Sequence, residues 1–182
     1  MERISSESAL REAATAEDVA YVEQFGAEKR RCEVLTWRAV VRRELGHAVA
    51  ISHDENGAPQ VDIPNIYISV AHSRELVAVA ISDGPCAVDI EDCARNFRRV
   101  AAKYLSSEEQ NLAEQYNLYA EMWSAKEALY KFHRKGGLNY VSDVRILGYD
   151  AEARTFEASI CGGDRVAVSL QHSEGHTIAL IG

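Results

Sequence analysis

The chain has 182 residues, of which 47% are hydrophobic and 26% charged, and its formal net charge is −8. These values are typical of a globular protein and exclude the disordered and fibrous classes. The acidic balance argues against a nonspecific nucleic-acid binder, and the longest apolar run, Leu76 to Ile81, is too short to cross a membrane.

The first half of the chain combines one long helix with short strands. Apolar residues recur at helical spacing between Ala27 and Leu45, and Gly46 provides a stop. Short strand-like runs follow, with the turn signal Asp54–Gly57 after the first of them. The predicted strands of this half are His47–His53, Ile66–Ala71, Leu76–Ser82 and Cys86–Glu91.

The second half returns to helices and then to strands. Helical periodicity is present over Phe97–Leu105, and overlapping capping-box patterns begin at Ser106 and at Ser107. A further helix is predicted over Tyr119–His133, with a stop at Gly136. The last four predicted strands are Val144–Tyr149, Arg154–Ile160, Arg165–Gln171 and Thr177–Ile181.

The two halves repeat one order of elements. Trp37 lies in a helix that leads into strands and then to His72-Ser73 before an apolar run, and Trp123 begins the same order ahead of His172-Ser173. This internal repeat predicts an α+β fold in which a helix-plus-antiparallel-sheet unit is duplicated around a pseudo-twofold axis. Ligand sites favour the cleft between such units. The predicted lobes are residues 1–85 and 86–182.

Three carboxylates stand out as candidate metal ligands. Asp89 and Glu91 are two residues apart on a predicted strand, so both side chains point to the same face. Glu127 and Lys131 share a helix face, with Lys126 beside Glu127. Mg²⁺ prefers oxygen ligands and is often held jointly by carboxylates and substrate phosphates. The pattern therefore predicts phosphoryl-type transfer, although a solvated strand edge and an ordinary helical ion pair would give the same residues.

Basic residues are concentrated on this acidic chain. Most of the 20 lysines and arginines fall in three short windows. Such clusters indicate a compact polyanionic ligand, an acidic partner, or both, while the alternative is a set of solvated helix faces. The windows are residues 29–43, 95–103 and 126–135.

Four motifs stand out along the chain. Two are acidic, Ala87-Val88-Asp89-Ile90-Glu91 and Trp123-Ser124-Ala125-Lys126-Glu127-Ala128-Leu129-Tyr130-Lys131, and two are shorter, Asn56-Gly57-Ala58-Pro59 and Ser69-Val70-Ala71-His72-Ser73. With these motifs the sequence resembles the 4'-phosphopantetheinyl transferases, in particular the two-lobed type that activates surfactin synthetase. The resemblance extends from about Ala27 to the end of the chain.

The resemblance implies a reaction and a metal site. The phosphopantetheinyl group of coenzyme A would move to a serine of an acyl or peptidyl carrier protein, releasing 3',5'-ADP. Asp89, Glu91 and Glu127 would coordinate Mg²⁺ together with the coenzyme A pyrophosphate. Glu127 would be the base for the carrier serine, and Asp89 and Lys131 would complete the catalytic group.

The same resemblance assigns the coenzyme A contacts. Lys126 and Lys131 would neutralise the pyrophosphate, and His72 would contact a coenzyme A phosphate. Arg31 and Arg38, on the first basic helix, would hold the 3'-phosphate. The resemblance also places the carrier protein against the segment from Arg95 to Tyr116, where the basic side chains and the aromatic rings of Phe97 and Tyr104 suit an acidic partner with apolar contacts. The alternative is that the two rings are core residues and the arginines are solvated.

Three departures from the family pattern leave a second hypothesis open. Ala58 replaces a common lysine, Ala71 a serine and Ala87 a glycine. A non-catalytic relative that binds coenzyme A or a carrier protein would tolerate these changes. A third reading is a different Mg²⁺-dependent phosphate-ester enzyme, such as a hydrolase.

The cellular setting is predicted from composition. Met1–Arg11 lacks the apolar core of a signal peptide, so we expect a cytoplasmic monomer without nucleic-acid or membrane partners. The cysteines lack metal-binding spacing, and we expect reduced, mostly buried thiols. These cysteines are Cys32, Cys86, Cys93 and Cys161.

Overall fold

Helices dominate the start of the chain, and short strands follow them. The computed structural model describes residues 1–182. In chain order the elements of the first half are β1 (Glu2–Arg3), α1 (Glu7–Ala13), α2 (Ala16–Val22), α3 (Glu28–Leu45), β2 (Ile51–His53), β3 (Pro59–Val61), β4 (Tyr67–His72) and β5 (Leu76–Ser82).

The second half begins and ends with strands that pair with each other. Two helices and a 3₁₀ segment lie between β6 and the last four strands. The elements are β6 (Ala87–Asp92), the 3₁₀ segment (Phe97–Lys103), α4 (Ser107–Tyr116), α5 (Tyr119–His133), β7 (Val144–Asp150), β8 (Thr155–Ile160), β9 (Arg165–Ser173) and β10 (His176–Ile181).

All strand pairs are antiparallel. The sheets have the orders β1-β5-β4, β6-β10-β9-β8-β7 and β2-β3. Register is regular except for a bulge in β7 between Ile146 and Gly148. Segregated helices and antiparallel sheets define an α+β fold, which confirms the predicted class. None of the helices combines the length and the apolar character that crossing a membrane requires.

The predicted long elements are present, with differences at their ends. Gly46 follows α3 with φ at 105°, a conformation that favours glycine. Helix α5 has the predicted bounds, Tyr119–His133, and the residue that ends it is Arg134, in a left-handed conformation with φ at 62°, rather than Gly136. The segment after β6 forms a 3₁₀ helix rather than an α-helix. Sequence patterns did not predict α1, α2, β1 or β3.

Helix α5 forms the centre of the larger core. Met122, Ala125, Ala128 and Leu129 are fully buried, at the spacing of one helix face, against β6 and β10. Small alanines let the helix approach the sheet closely, while burial of a side chain such as Leu129 stabilises the fold by about 1.5–3 kcal/mol. This packing fixes the polar residues on the other faces of α5 relative to β6.

The capping box of α4 is the one that begins at Ser106. Its hydroxyl accepts a hydrogen bond from the backbone N–H of Glu109, and the Glu109 carboxylate accepts one from the backbone of Ser106. Glu109 is nevertheless buried, and its carboxylate also accepts the N–H of Ile146 at 2.7 Å. A residue predicted only to cap a helix therefore also ties α4 to β7.

The two halves meet where β4 packs beside β6. The hydroxyl of Ser69 accepts a 3.0 Å hydrogen bond from the N–H of Val88, which joins the strands at the start of the acidic motif. Each half places a long helix against antiparallel strands, although the main sheets contain three and five strands. The internal duplication and the lobe boundary at residue 85 remain predictions.

The four cysteines form no disulfide. Cys32 and Cys86 are buried, as expected for structural thiols, whereas Cys93 and Cys161 are exposed. The prediction that the thiols are mostly buried filler is therefore correct for two of the four.

Candidate active site

A groove of about 540 Å³ runs between the two halves. Residues of α3, the 56–59 turn, β4, β6 and the end of α5 line it. Its basic lining side chains are Arg30, His72, Lys131 and Arg134, and Asp89 is its acidic one. The groove therefore presents positive charge with a carboxylate on its wall.

Asp89 is tied to α5 by Lys131. Strand β6 buries most of the Asp89 side chain, and its Oδ1 lies 2.8 Å from Lys131 Nζ. Lys131 also donates to the backbone carbonyl of Val88 at 3.0 Å. The second oxygen of Asp89, Oδ2, is buried and accepts no hydrogen bond. Buried carboxylate oxygens are normally paired, so the unpaired Oδ2 is a candidate ligand atom on a residue that lines the groove.

Glu91 lies two residues further along β6. Its Oε1 accepts a 2.8 Å hydrogen bond from the indole N–H of Trp123, and its Oε2 pairs with Arg95. Burial raises the pKa of Glu91, and the negative charge of Asp89 raises it further. The two strand carboxylates thus repel each other electrostatically.

Glu127 lies on α5, one turn before Lys131. Its Oε1 accepts a 2.9 Å hydrogen bond from the hydroxyl of Tyr140. Burial raises the pKa of Glu127; the hydrogen bond from Tyr140 opposes this effect, and the charge of Asp89 adds to it. The charge of Asp89 therefore raises the pKa of both glutamates, so both predicted glutamate ligands lie near Asp89.

The donor set suits a hard divalent cation. The charge of Asp89 raises the pKa of both glutamates, and a cation between the three carboxylates would offset this repulsion. Mg²⁺ prefers such oxygen ligands. The free Oδ2 of Asp89 fits this role.

The three carboxylates do not form one close cluster, because their ligand oxygens do not all lie within 4.8 Å of each other. The residues whose ligand atoms do lie that close are Glu7, Glu28 and Cys32. Both oxygens of Glu7, however, are already bonded to arginines.

His72 contributes a neutral ring to the groove. Its Nε2 lies 2.9 Å from Nη1 of Arg30, and because a guanidinium only donates, Nε2 must accept. Burial lowers the pKa of His72, and nearby Arg30 lowers it too, although Glu33 opposes this. The structure places His72 in the lining of the groove, next to an arginine that the sequence did not single out, and its contact with a coenzyme A phosphate stays a prediction.

The predicted contacts of Arg31 and Arg38 with coenzyme A do not fit the structure. The Arg31 guanidinium forms two 2.8 Å hydrogen bonds with Glu7 of α1. Arg38 is only 1% exposed and pairs with Asp18 of α2. Both arginines therefore join α3 to the N-terminal helices, because those helices supply the carboxylates that compensate their burial.

The basic residue of α3 that does line the groove is Arg30. An α-helix turns by about 100° per residue, so the side chains of two adjacent residues, such as Arg30 and Arg31, point to different faces of the helix. Arg30 and Trp37 are seven residues apart and both line the groove, whereas Arg31 and Arg38 share the neighbouring face against α1 and α2. The seven-residue spacing between Arg30 and Trp37, about two helical turns, is the sequence signal that could have identified Arg30.

Lys126 also lies away from the groove. It is completely buried, with Nζ 2.8 Å from the Glu109 carboxylate and 2.7 Å from the carbonyl oxygen of Tyr140. Burial lowers the pKa of Lys126, and the hydrogen bond to Glu109 opposes that shift. This position does not fit the predicted contact with a pyrophosphate, and we assign Lys126 to the core.

The aromatic residues of the expected carrier-facing segment are core residues. Phe97 and Tyr104 are 4% and 1% exposed, so neither ring offers an apolar contact to a partner. Arg95, Arg98 and Arg99 remain at the surface, where Arg98 pairs with Glu114. The charged part of that expectation stays a prediction, whereas the burial of Phe97 and Tyr104 contradicts the aromatic part.

The fold and the site define an α+β protein with a buried carboxylate, Asp89, at the wall of a basic groove. A family model described as the 4'-phosphopantetheinyl transferase superfamily matches residues 85–181, slightly more than half of the chain. The protein belongs to this family. The matched region contains β6 and α5, and with them all three candidate ligands.

Two curated relatives carry the same family name. The 4'-phosphopantetheinyl transferase psf-1 of Bacillus pumilus is 32% identical over 88 residues, which cover 44% of this chain and 38% of the relative. The 4'-phosphopantetheinyl transferase gsp of Aneurinibacillus migulanus is 33% identical over 91 residues, covering 46% and 37% respectively. The chain thus matches less than two fifths of the length of each relative.

Proposed function

We propose that this protein transfers the 4'-phosphopantetheine group of coenzyme A to a serine of an acyl or peptidyl carrier protein. The observation that supports it most directly is Asp89, with its free Oδ2 and its Lys131 partner, on the wall of a basic groove. Membership in the family and the names of two relatives support the same reaction.

The groove suits a ligand with several phosphates. Ligand sites typically measure roughly 300–1,000 Å³, and this groove has about 540 Å³. Arg30 and Arg134 lie on opposite elements of its lining, α3 and the end of α5, so they could hold separate phosphate groups of coenzyme A. Ala58, where the family usually has lysine, also lines the groove, and these arginines could compensate for the missing charge.

Asp89, Glu91 and Glu127 are the residues that would hold Mg²⁺. The ion would supply positive charge that stabilises the pyrophosphate and the leaving 3',5'-ADP. Lys131 adds a fixed positive charge from α5, next to Asp89. Phosphoryl-type transfer depends mostly on such positioning and charge stabilisation.

Glu127 is the candidate base. The serine oxygen of the carrier would form a bond to the phosphorus that carries the pantetheine, and the bond from that phosphorus to the oxygen of 3',5'-ADP would break. The serine proton would move to the Glu127 carboxylate, which lies on α5 one turn before Lys131. Lys131 would stabilise the charge that develops on the phosphate oxygens.

An assay of carrier modification tests the proposal. An apo carrier protein is incubated with coenzyme A and Mg²⁺, and its mass is expected to increase by one phosphopantetheine group. Asp89→Ala and Glu127→Ala should abolish the increase, as should chelation of Mg²⁺. Glu157→Gln is the control, because this exposed strand glutamate pairs with Arg165 away from the groove.

The spread of the three carboxylates beyond 4.8 Å favours one other candidate, a non-catalytic protein that binds coenzyme A. Such a protein would bind coenzyme A in a calorimetric titration without modifying the carrier. Unchanged transfer by both alanine variants would falsify the assignment of the metal site.

A further inference from the structure

Tyr140 contacts the candidate base from outside the two acidic motifs. It lies in the connection between α5 and β7, and its hydroxyl donates to Oε1 of Glu127 at 2.9 Å. Glu127 has no other hydrogen-bond partner in the protein, so this single contact orients its carboxylate. A glutamate side chain has several rotatable bonds and loses its orientation easily without such a contact.

The position of Tyr140 is fixed at both ends. Its carbonyl oxygen accepts a 2.7 Å hydrogen bond from the buried Lys126, which is itself held by Glu109. Lys126 and Glu127 are neighbours on α5, so two consecutive helix residues hold the backbone and the hydroxyl of the same tyrosine. The tyrosine hydroxyl therefore has little freedom to move relative to the helix.

The ring of Tyr140 is also held between two other aromatic rings. It stacks on Trp123 with centroids 5.7 Å apart and an angle of 10°, and on Tyr130 at 5.5 Å and 4°. Trp123 donates its indole N–H to Glu91 at 2.8 Å. One aromatic stack thus carries the hydrogen-bond donors for both candidate glutamate ligands.

We propose that Tyr140 is a positioning residue that holds Glu127 in the orientation required for binding Mg²⁺. This inference rests on the proposed function and extends it to a residue outside the motifs. Groups that orient metal ligands typically change metal affinity or activity by about 10- to 100-fold when they are removed. The hydroxyl of Tyr140, rather than its ring, is expected to provide this effect.

Tyr140→Phe tests the role of the hydroxyl because it keeps the stacked ring. The matched control is Tyr21→Phe on α2, which also removes a hydroxyl bonded to a titratable side chain, His53, from a stacked ring. Mg²⁺ is titrated calorimetrically into each protein saturated with coenzyme A. We expect affinity for Mg²⁺ to fall at least tenfold in Tyr140→Phe and to stay unchanged in Tyr21→Phe.

Two further measurements separate positioning from a loss of folding. The melting temperature of Tyr140→Phe should stay close to that of Tyr21→Phe, and its KM for coenzyme A should change less than twofold. In a Glu127→Gln background, Tyr140→Phe should weaken Mg²⁺ binding by less than a further twofold, because the hydroxyl acts through Glu127.

The possible failures are distinguishable. If the wild-type protein neither binds Mg²⁺ nor modifies a carrier, the proposed function fails and this inference fails with it. If the wild-type protein does both and Tyr140→Phe matches Tyr21→Phe, the proposed function stands and the positioning role is overturned. Equal losses in the wild-type and Glu127→Gln backgrounds would also overturn it, since the tyrosine would then act independently of Glu127.

Discussion

Lys131 Nζ lies 2.8 Å from Oδ1 of Asp89 and connects α5 to β6 across the site. The contact leaves Oδ2 of Asp89 without a hydrogen bond. Lys131 thus neutralises the Asp89 carboxylate through Oδ1 and leaves Oδ2 available to bind a cation. The pair places one positive and one negative side chain side by side in the wall of the groove.

Replacement of Lys131 by methionine should lower kcat for carrier modification by about 10²-fold, the usual effect of removing one group that stabilises developing charge. Lys131→Arg keeps the positive charge and should restore part of the rate. Steady-state kinetics with an apo carrier measure both. A Lys131→Met protein with the wild-type kcat would show that this lysine does not act on the transferred phosphate.

Arg30→Ala should raise the KM for coenzyme A by about tenfold or more, since a hydrogen bond to a charged group contributes roughly 1.5–3 kcal/mol. Lys29→Ala is the matched control. Lys29 is the neighbouring exposed cation and pairs with the same Glu33, but it does not line the groove. Equal KM values for the two variants would contradict the assignment of Arg30 as a ligand contact.

Lys126→Met should destabilise the fold by about 3–5 kcal/mol, because it leaves the buried Glu109 carboxylate without its cation. Lys135→Met, at an exposed position, should have little effect on stability. Urea unfolding of both variants measures the difference. A stable Lys126→Met protein that has lost only its affinity for coenzyme A would instead support the phosphate contact predicted from the sequence.

Acid should weaken the attachment of α2 to α3. Burial opposes ionisation of Asp18, but hydrogen bonds from Arg42, Arg38 and Thr15 outweigh it and lower the pKa of Asp18 from 3.8 to about 2. The ionised carboxylate therefore stabilises the fold above pH 4, and this contribution of about 2 kcal/mol is lost as the pH falls towards 2.

Urea unfolding between pH 6 and pH 3 tests this linkage. Wild-type protein should lose roughly half of that contribution by pH 3, whereas Asp18→Asn should lack this part of the pH dependence. Parallel stability curves for the two proteins would show that Asp18 does not titrate with a lowered pKa.

Local patterns predicted α3 and α5 well because apolar residues repeat along them at helical spacing and the signals that end a helix are local. The same reasoning missed α1 and α2, which have seven residues each and bury few apolar side chains. Their main contribution is made by carboxylates such as Glu7 and Asp18, whose partners lie about 20 residues away. No local pattern indicates such pairs.

Among the predicted site residues, the acidic ones fit the structure better than the basic ones. Asp89, Glu91 and Glu127 lie in short motifs whose spacing follows the strand and helix repeats. Sequence patterns pointed to Arg31, whereas the adjacent Arg30 lines the groove, because the side of α3 that faces the groove depends on what packs against its other sides. Tyr140 was missed because it reaches Glu127 from a connection 13 residues further along the chain.

The amino-acid sequence alone determined which elements carry the acidic residues, since the two-residue repeat of a strand and the four-residue repeat of a helix are properties of the backbone itself. Only the tertiary structure decided which cations line the groove. A buried charge requires a partner, and for Arg38 and Lys126 that partner is a carboxylate brought in by another helix. Arg30 and Lys131 remain at the groove because no such helix covers them.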